Sequence, residues 1–312
     1  MWGAILVRMS SVNAAYKVID LHHLGRAESV LSCLVSTPRG GYLVDPGPAS
    51  CLEALRAGLA AHGTAIEELT GLLLTHIHLD HAGAAGTLAR LNPGLAVHVH
   101  RAGAAHLIDP SKLLASATRL YGGEMERLWG EVAPVPRERV VILDGGERLD
   151  LGGRGFEVLY TPGHAAHHVS YVDSATGTAF VGDTAGLRTS RLPCVLPVTP
   201  PPDFDLELWL ASLDRIAARQ PTELVITHFG GWRDVPEHLE ALRQGLQQWA
   251  SFAHATLEAA GDDATRVRAF VQRLEGWLEG KAPADRVTRF LAGDGPAACW
   301  HGLARYWRRR SA

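Results

Sequence analysis

Seven side chains able to bind divalent metals are concentrated in four short segments of this chain. The first is Thr75-His76-Ile77-His78-Leu79-Asp80-His81. The others are Thr161-Pro162-Gly163-His164, Val181-Gly182-Asp183-Thr184 and Ile226-Thr227-His228-Phe229. Five imidazoles and two carboxylates are donors enough for two neighbouring ions. Imidazole with carboxylate, and without thiolate, suits zinc and other borderline divalent metals. A paired-metal site makes a hydroxide nucleophile at neutral pH and clamps the oxygens of the bond being cut. The expected chemistry is metal-dependent hydrolysis, with two Zn²⁺ per chain as cofactor and Mn²⁺ or Fe as alternatives.

The spacing says which elements must position these groups. His76 and His78 are two apart on a segment leaving a strand over 72–74; in extended backbone such side chains share a face, so both reach one ion. Asp80 and His81 fall where the chain turns into a helix over 82–91, and so serve a second ion. Gly83 and Gly86 are expected where backbone passes close to the metals. His164 follows a Thr-Pro-Gly turn after a strand over 156–160. Asp183 follows a strand over 178–181, and His228 ends one over 223–227. A lone histidine at a strand end is usually structural. Four strand ends each presenting a donor reverse that expectation, provided they lie at one edge of packed sheets. An H-x-H pair is common, whereas H-x-H-x-D-H directly after Leu-Leu-Leu-Thr is not.

The rest of the chain supplies the frame. Strands over 30–36 and 42–44 pair around the Pro38-Arg39-Gly40-Gly41 turn. A helix over 51–62 buries Leu52, Leu55 and Leu59 and stops at Gly63. Further strands are expected over 96–99, 140–143 and 168–172, and a helix over 206–219. Residues 192–204 carry five prolines and read as a stiff loop. Residues 101–136 are helical, either a pair packed on the core or a lid over substrate. The strand-and-helix run occurs twice, which fits two similar halves packed face to face. Strand signals stop near residue 236, and helices follow over 239–260, 264–278, 283–291 and 300–310. The expected organisation is a catalytic domain over 1–235 and a helical C-terminal extension over 236–312 packing on it.

From residue 30 to residue 229 the motifs resemble the metallo-β-lactamase superfamily, in its glyoxalase II and lactonase-like branch. The resemblance implies an α+β fold, a four-layer αββα sandwich with metals at one edge. It implies that His76, His78 and His164 hold one metal, that Asp80, His81 and His228 hold the other, and that Asp183 bridges them. Asp45, in Leu43-Val44-Asp45-Pro46-Gly47, matches the family's strand-end acid that supports the ligands from behind; a turn-capping role is compatible with that. True β-lactamases of the superfamily have Cys or Ser in place of Asp183, which argues against β-lactam hydrolysis. The oxygen-reducing di-iron relatives carry an acid where this chain has His78, which argues for hydrolysis over redox chemistry. The implied activity is cleavage of a carboxylic ester, thioester or lactone by metal-bound hydroxide, with Asp80 as proton shuttle. A phosphodiesterase, or a non-hydrolytic metal-binding or redox member of the fold, is the alternative.

Bulk composition narrows the partners. The chain has 312 residues, 46% of them apolar, and a formal net charge of −3. That supports a large core and lacks the basic footprint of a nucleic-acid binder. Cys33, Cys51, Cys194 and Cys299 form no C-x-x-C pair and read as free thiols in a reducing compartment. The apolar stretch at Met1 to Arg8 is too short for a secretory signal, Met9 is an alternative start, and no stretch is long enough to span a membrane. The expectation is a cytoplasmic enzyme with a small-molecule ester-like substrate, no nucleic acid and no membrane partner. Its exposed helices could mediate a homodimer. Arg188 and Arg191, just past Asp183, are candidates to hold an anionic group of the substrate, with surface arginines as the plainer reading. His167 and His168 are expected mainly on a strand's outer face, and His98, His100 and His106 in structural or exposed places.

Overall fold

The computed structural model describes residues 16–311; the stretch from Met1 to Met9 considered above lies outside them. Two six-stranded sheets, counted among the described residues, carry the fold. The first contains β1 (Lys17–Asp20), β2 (Leu31–Thr37), β3 (Gly40–Val44), β4 (Leu69–Leu73), β5 (Ala96–His100) and β6 (Val140–Leu143), side by side in chain order. The second contains β7 (Arg148–Asp150), β8 (Gly155–Tyr160), β9 (Val169–Asp173), β10 (Thr178–Phe180), β11 (Glu223–Ile226) and β12 (Gly230–Trp232), also in chain order. Strands β3 to β6 run parallel, as do β10 and β11, and the remaining neighbours are antiparallel.

Parallel neighbours cannot be joined by a tight turn, so their links carry the helices. These are α1 (Leu52–Ala61) after β3, then α2 (Leu79–Ala82) and α3 (Ala85–Leu91) after β4. Next come α4 (Arg101–Ile108), α5 (Ser111–Tyr121) and α6 (Met125–Trp129) after β5, and α7 (Leu206–Ala217) between β10 and β11. The chain closes with α8 (Val235–Leu257), α9 (Asp263–Leu278), α10 (Ala284–Leu291) and α11 (Gly295–Arg310).

Strand alternation sorts the side chains into layers. Leu31, Cys33 and Val35 of β2 face the second sheet and meet Phe156, Val158, Tyr171 and Phe180. Leu34, one residue out of phase, faces the helices with Leu55, Leu59 and Leu88. On the second sheet Val158 points inward, while Leu159 points outward to Trp209, Leu213, Leu242 and Leu246. The result is an αββα sandwich, each buried leucine contributing about 1.5–3 kcal/mol. Trp249, Phe270, Trp300 and Leu303 of the C-terminal helices lie in the same apolar cluster as Leu224 and Ile226 of β11.

At one edge the sheets are tied together. Leu31 N–H donates to Thr227 O at 3.0 Å, and Val169 N–H donates to Thr75 O at 2.7 Å. Tyr171 Oη, buried between the sheets, donates to Leu74 O at 2.8 Å. These bonds bring the ends of β4 and β11 to one place.

Some expectations need correction. The helix expected over 82–91 is two helices, and Gly83 and Gly86 do not make way for metals. A Cβ on Gly86 would strike Ala133 O, and one on Gly83 would strike Leu79 O and Pro48; both glycines admit neighbouring backbone. The structure adds edge strands β1, β7 and β12, which the pattern does not mark because each is short and has at most two apolar residues in a row. Helices α8 and α11 start earlier than expected, with Pro236 and Pro296 in their first turns, where a missing N–H costs nothing. Segment 101–136 forms α4–α6, and Trp129 and Ala117 pack on Leu79, between His78 and Asp80.

Candidate metal centre

All seven donors foreseen from the sequence meet at the tied edge. Donor atoms of His76, His78 and His164 lie within 4.8 Å of one another, as do those of His76, His81 and Asp183, and those of Asp80, His81 and His228. The motif Thr75–His81 leaves β4 and enters α2, delivering four donors from one turn. The other three come singly: His164 from the turn after β8, Asp183 from the turn after β10 and His228 from the end of β11. Gly182 precedes Asp183 at φ +47°, and a Cβ there would sit 2.5 Å from Thr75 Oγ1; only glycine lets that turn close on the first sheet.

Hydrogen bonding fixes how the imidazoles present themselves. His164 Nδ1 lies 2.7 Å from Val198 O, and His228 Nδ1 lies 2.7 Å from Ser29 O. A carbonyl can only accept, so each Nδ1 carries the proton and each Nε2 turns a lone pair inward. His81 Nδ1 donates likewise to Asp45 Oδ2 at 2.9 Å. Thr75 Oγ1 donates to Asp45 Oδ2 at 2.7 Å, which leaves it to accept from His76 Nδ1 at 3.1 Å. Asp45 Oδ1 accepts from Thr75 N–H at 2.8 Å, and Oδ2 also accepts from Thr227 Oγ1 at 3.1 Å. This one buried carboxylate therefore orients His81 and His76 and joins the ends of β3, β4 and β11.

The inward atoms crowd each other. His76 Nε2 and His164 Nε2 each stand 2.9 Å from His78 Nδ1. His81 Nε2 is 3.2 Å from Asp183 Oδ1, and both are buried without a hydrogen bond. His228 Nε2 stands 3.3 Å from Asp80 Oδ2 and 3.4 Å from Asp183 Oδ1. Converging lone pairs and orphaned buried donors repel one another unless a cation lies among them. The donor set thus fits metal ions, and the residues could hold more than one.

Titration follows the same logic. Burial, and then neighbouring His81, push His76 well below the usual histidine range, and burial with His164 brings His78 down to about 3. Both stay neutral, as a ligand must. Burial also opposes charge on His81, yet Asp183, Asp80 and Asp45 raise it well above the usual value. Burial disfavours both acids, but His81 and His228 hold Asp80 and Asp183 below the usual carboxylate range.

Other residues stand differently from expectation. The ring of His168 stacks on His76 at 4.9 Å and that of His167 at 6.0 Å, so both face the centre rather than the strand's outer side. His168 Nδ1 is 3.0 Å from both Thr161 Oγ1 and Thr184 Oγ1. The signal for it was a set of polar residues, Thr161, His168, Ser170 and Thr184, where a core would be apolar. Trp209 was not singled out; it packs edge-on to His164 at 5.4 Å, and its Nε1 donates to Thr184 O at 2.7 Å. The Arg188 guanidinium binds Asp234 at 2.8 Å and Pro193 O at 2.9 Å, and lies over the Trp232 ring at 3.9 Å. Arg191 lines a cavity of its own with Arg26, Arg286 and Arg289. His98 Nδ1 meets Leu72 O, and His100 caps α4, both structural. No helix among the described residues is long and apolar enough to cross a membrane.

Comparison with known proteins gives the same frame. The chain is 28% identical to metallo-beta-lactamase fold-containing protein ST1585 of Sulfurisphaera tokodaii over 188 residues, 57% of this chain and 67% of that protein. The solved structure of ST1585 superposes with a TM-score of 0.61 at 23% identity, over 85% of this chain and 99% of that one. The metallo-beta-lactamase family protein TTHA1429 of Thermus thermophilus superposes with a TM-score of 0.69 at 22% identity, over 97% and 96%. Hydroxyacylglutathione hydrolase of Pseudomonas paraeruginosa is 31% identical over 150 residues, 48% of this chain but only 44% of that enzyme. The family model of the metallo-beta-lactamase superfamily matches residues 25–228, from the loop after β1 to the last of the seven donors, and the chain belongs to that superfamily.

Proposed function

We propose that the protein is a binuclear zinc hydrolase acting on a carboxylic ester, thioester or lactone. The observation that carries this reading is the meeting of seven donors from four segments, with Asp183 within reach of His81, His164 and His228. His76, His78 and His164 would hold one ion, Asp80, His81 and His228 the second, and Asp183 would serve both. Bound in this way, the metals supply an activated water and neutralise the charge that develops on the carbonyl oxygen. The residues do the rest. Asp45 and the carbonyls of Val198 and Ser29 hold the imidazoles in one tautomer, so no reorganisation is needed on binding. Asp80 keeps 24% of its side chain exposed against 3% for Asp183; it is the acid placed to pass a proton to a leaving group. The similarity to hydroxyacylglutathione hydrolases, whose name describes cleavage of an acylated glutathione, favours a thioester within the class.

The test is metal content and turnover together. Zinc-loaded protein is expected to hold two ions and to cleave a thioester, a lactone or p-nitrophenyl ester faster than bis-p-nitrophenyl phosphate or a cephalosporin. Asp183→Ala should bind at most one ion and lose roughly 10³-fold in kcat/KM. Two ions and full activity in that variant would overturn the assignment, as would iron with a visible charge-transfer band in the native protein.

A further inference from the structure

A cavity of about 880 Å³ opens between the loop after β1, the segment after Arg188 and the turn joining α10 to α11. Four arginines line it: Arg26, Arg191, Arg286 and Arg289. Among the described residues its one acidic lining residue is Asp294, and Phe290 gives it an apolar wall. Arg286 meets Asp285 at 3.2 Å. Arg26, Arg191 and Arg289 form no ion pair among the described residues. Three guanidinium groups with one carboxylate beside them leave an excess of positive charge, which an entering anion offsets. The volume suits a small-molecule ligand. The guanidinium fork matches phosphate oxygens two at a time. One carboxylate would satisfy one guanidinium and leave the others facing each other. An organic diphosphate, with roughly two to three negative charges at neutral pH according to whether its far end is esterified, matches the excess.

The cavity is close to the metal centre along the chain. Arg26 is three residues before Ser29, whose carbonyl holds His228 Nδ1. Arg191 is three residues after Arg188, whose N–H donates to His228 O at 2.8 Å. Three residues span at most roughly 10 Å, so the cavity lies within the length of an extended thioester arm from the backbone that holds His228. We propose that the cavity binds the diphosphate end of the substrate, as in a thioester whose thiol is carried by a nucleoside diphosphate. This rests on the hydrolase reading for its substrate, but not for its anion site. It also gives α10 a task, since Arg286 and Arg289 both lie on it.

The experiment has two arms. In the first, the full chain is titrated calorimetrically with ADP at low salt, with and without chelator. The expected result is one metal-independent site that weakens as salt is raised. The double variant Arg191→Glu/Arg289→Glu should weaken it roughly tenfold or more. No heat at millimolar ADP, no effect of the double variant, or loss of binding with chelator would each overturn the anion site. In the second arm, zinc-loaded protein is given acetyl-coenzyme A and acetyl-pantetheine, the same thioester without the nucleotide. The coenzyme ester should have a KM lower by roughly tenfold, and the double variant should remove that advantage. ADP binding with equal KM values would make the ligand a free nucleotide and overturn its place on the substrate. ADP binding with turnover of neither thioester would overturn thioester cleavage at the metal centre instead, and with it the substrate assignment, leaving the anion site standing.

Discussion

The two halves of the sandwich supply the metal centre in different ways. The first sheet delivers four donors from one turn after β4 and steadies two of them through one side chain, Asp45, which holds His81 directly and His76 through Thr75. The second sheet delivers three donors from three separate strand ends, and each has its own support. His164 leans on Val198 O, His228 on Ser29 O, and the turn of Asp183 on Trp209 through Thr184 O and on His238 through Ala185 O. Orientation on the first side thus depends on one replaceable carboxylate. On the second it depends mostly on main-chain carbonyls, which no side-chain substitution removes.

The largest effect should therefore come from Asp45. Asp45→Ala leaves His81 Nδ1, Thr75 Oγ1 and N–H and Thr227 Oγ1 buried without their acceptor. Each lost acceptor costs about 1–3 kcal/mol, so the expected destabilisation is on the order of 4 kcal/mol or more. Metal affinity should fall roughly 10–100-fold as the ligand histidines lose their orientation. Denaturant unfolding of the metal-free variant and zinc competition measure the two separately. A variant as stable and as tightly loaded as the wild type would dissolve the contrast between the halves.

Next in size is His238, which sharpens the second side. It is buried beneath the Asp183 turn, its Nε2 donating to Ala185 O at 2.8 Å while its Nδ1 faces Arg188 at 3.4 Å. Burial first, and then Arg188, depress its pKa from 6.5 to about 4. The unfolded chain takes up this proton below pH 6.5, and the folded chain does not until about pH 4. Stability is therefore fully present above pH 6.5 and falls as the pH drops towards 4, by about 3 kcal/mol in all. His238→Gln should lose that part of the pH dependence. Equal pH slopes for the two metal-free proteins in urea unfolding would show that this support carries no titration.

The same contrast explains what could be read from the sequence. Four donors in seven residues form a local pattern, so Thr75–His81 announces itself. His164, Asp183 and His228 are legible only as a set, because each alone resembles an ordinary strand-end residue. The sheets were legible where strands are long enough to alternate, as β2 shows with Leu31, Cys33 and Val35 against Leu34. Three edge strands of three or four residues that lack an apolar run, β1, β7 and β12, are not. The supports were least legible of all, since Val198 and Ser29 act through carbonyls that every residue possesses. Gly83 and Gly86 mislead for a related reason: a glycine signals close approach but not what approaches, and here it is the backbone of Leu79, Pro48 and Ala133.

The smallest effect concerns the tie between the halves. Tyr171, fully buried on β9, donates through Oη to Leu74 O at 2.8 Å, immediately before Thr75. Tyr171→Phe keeps the ring and its packing against Phe156 and Phe180 and removes only this bond. The expected cost is about 1 kcal/mol, more if Leu74 O finds no other donor in the closed core. The bond joins the two sheets just before the four-donor turn, so its loss should weaken the mutual position of the halves while leaving Asp45 and its partners intact. A thermal melt of the metal-free variant reads the stability term, and zinc competition reads the coupling. A stability loss without a change in zinc affinity would show that Asp45 and the backbone bonds Leu31 to Thr227 and Val169 to Thr75 suffice to align the two sets of donors. A loss of affinity comparable to that of Asp45→Ala would show instead that the first side is steadied from the second sheet, and that one carboxylate is not its main support.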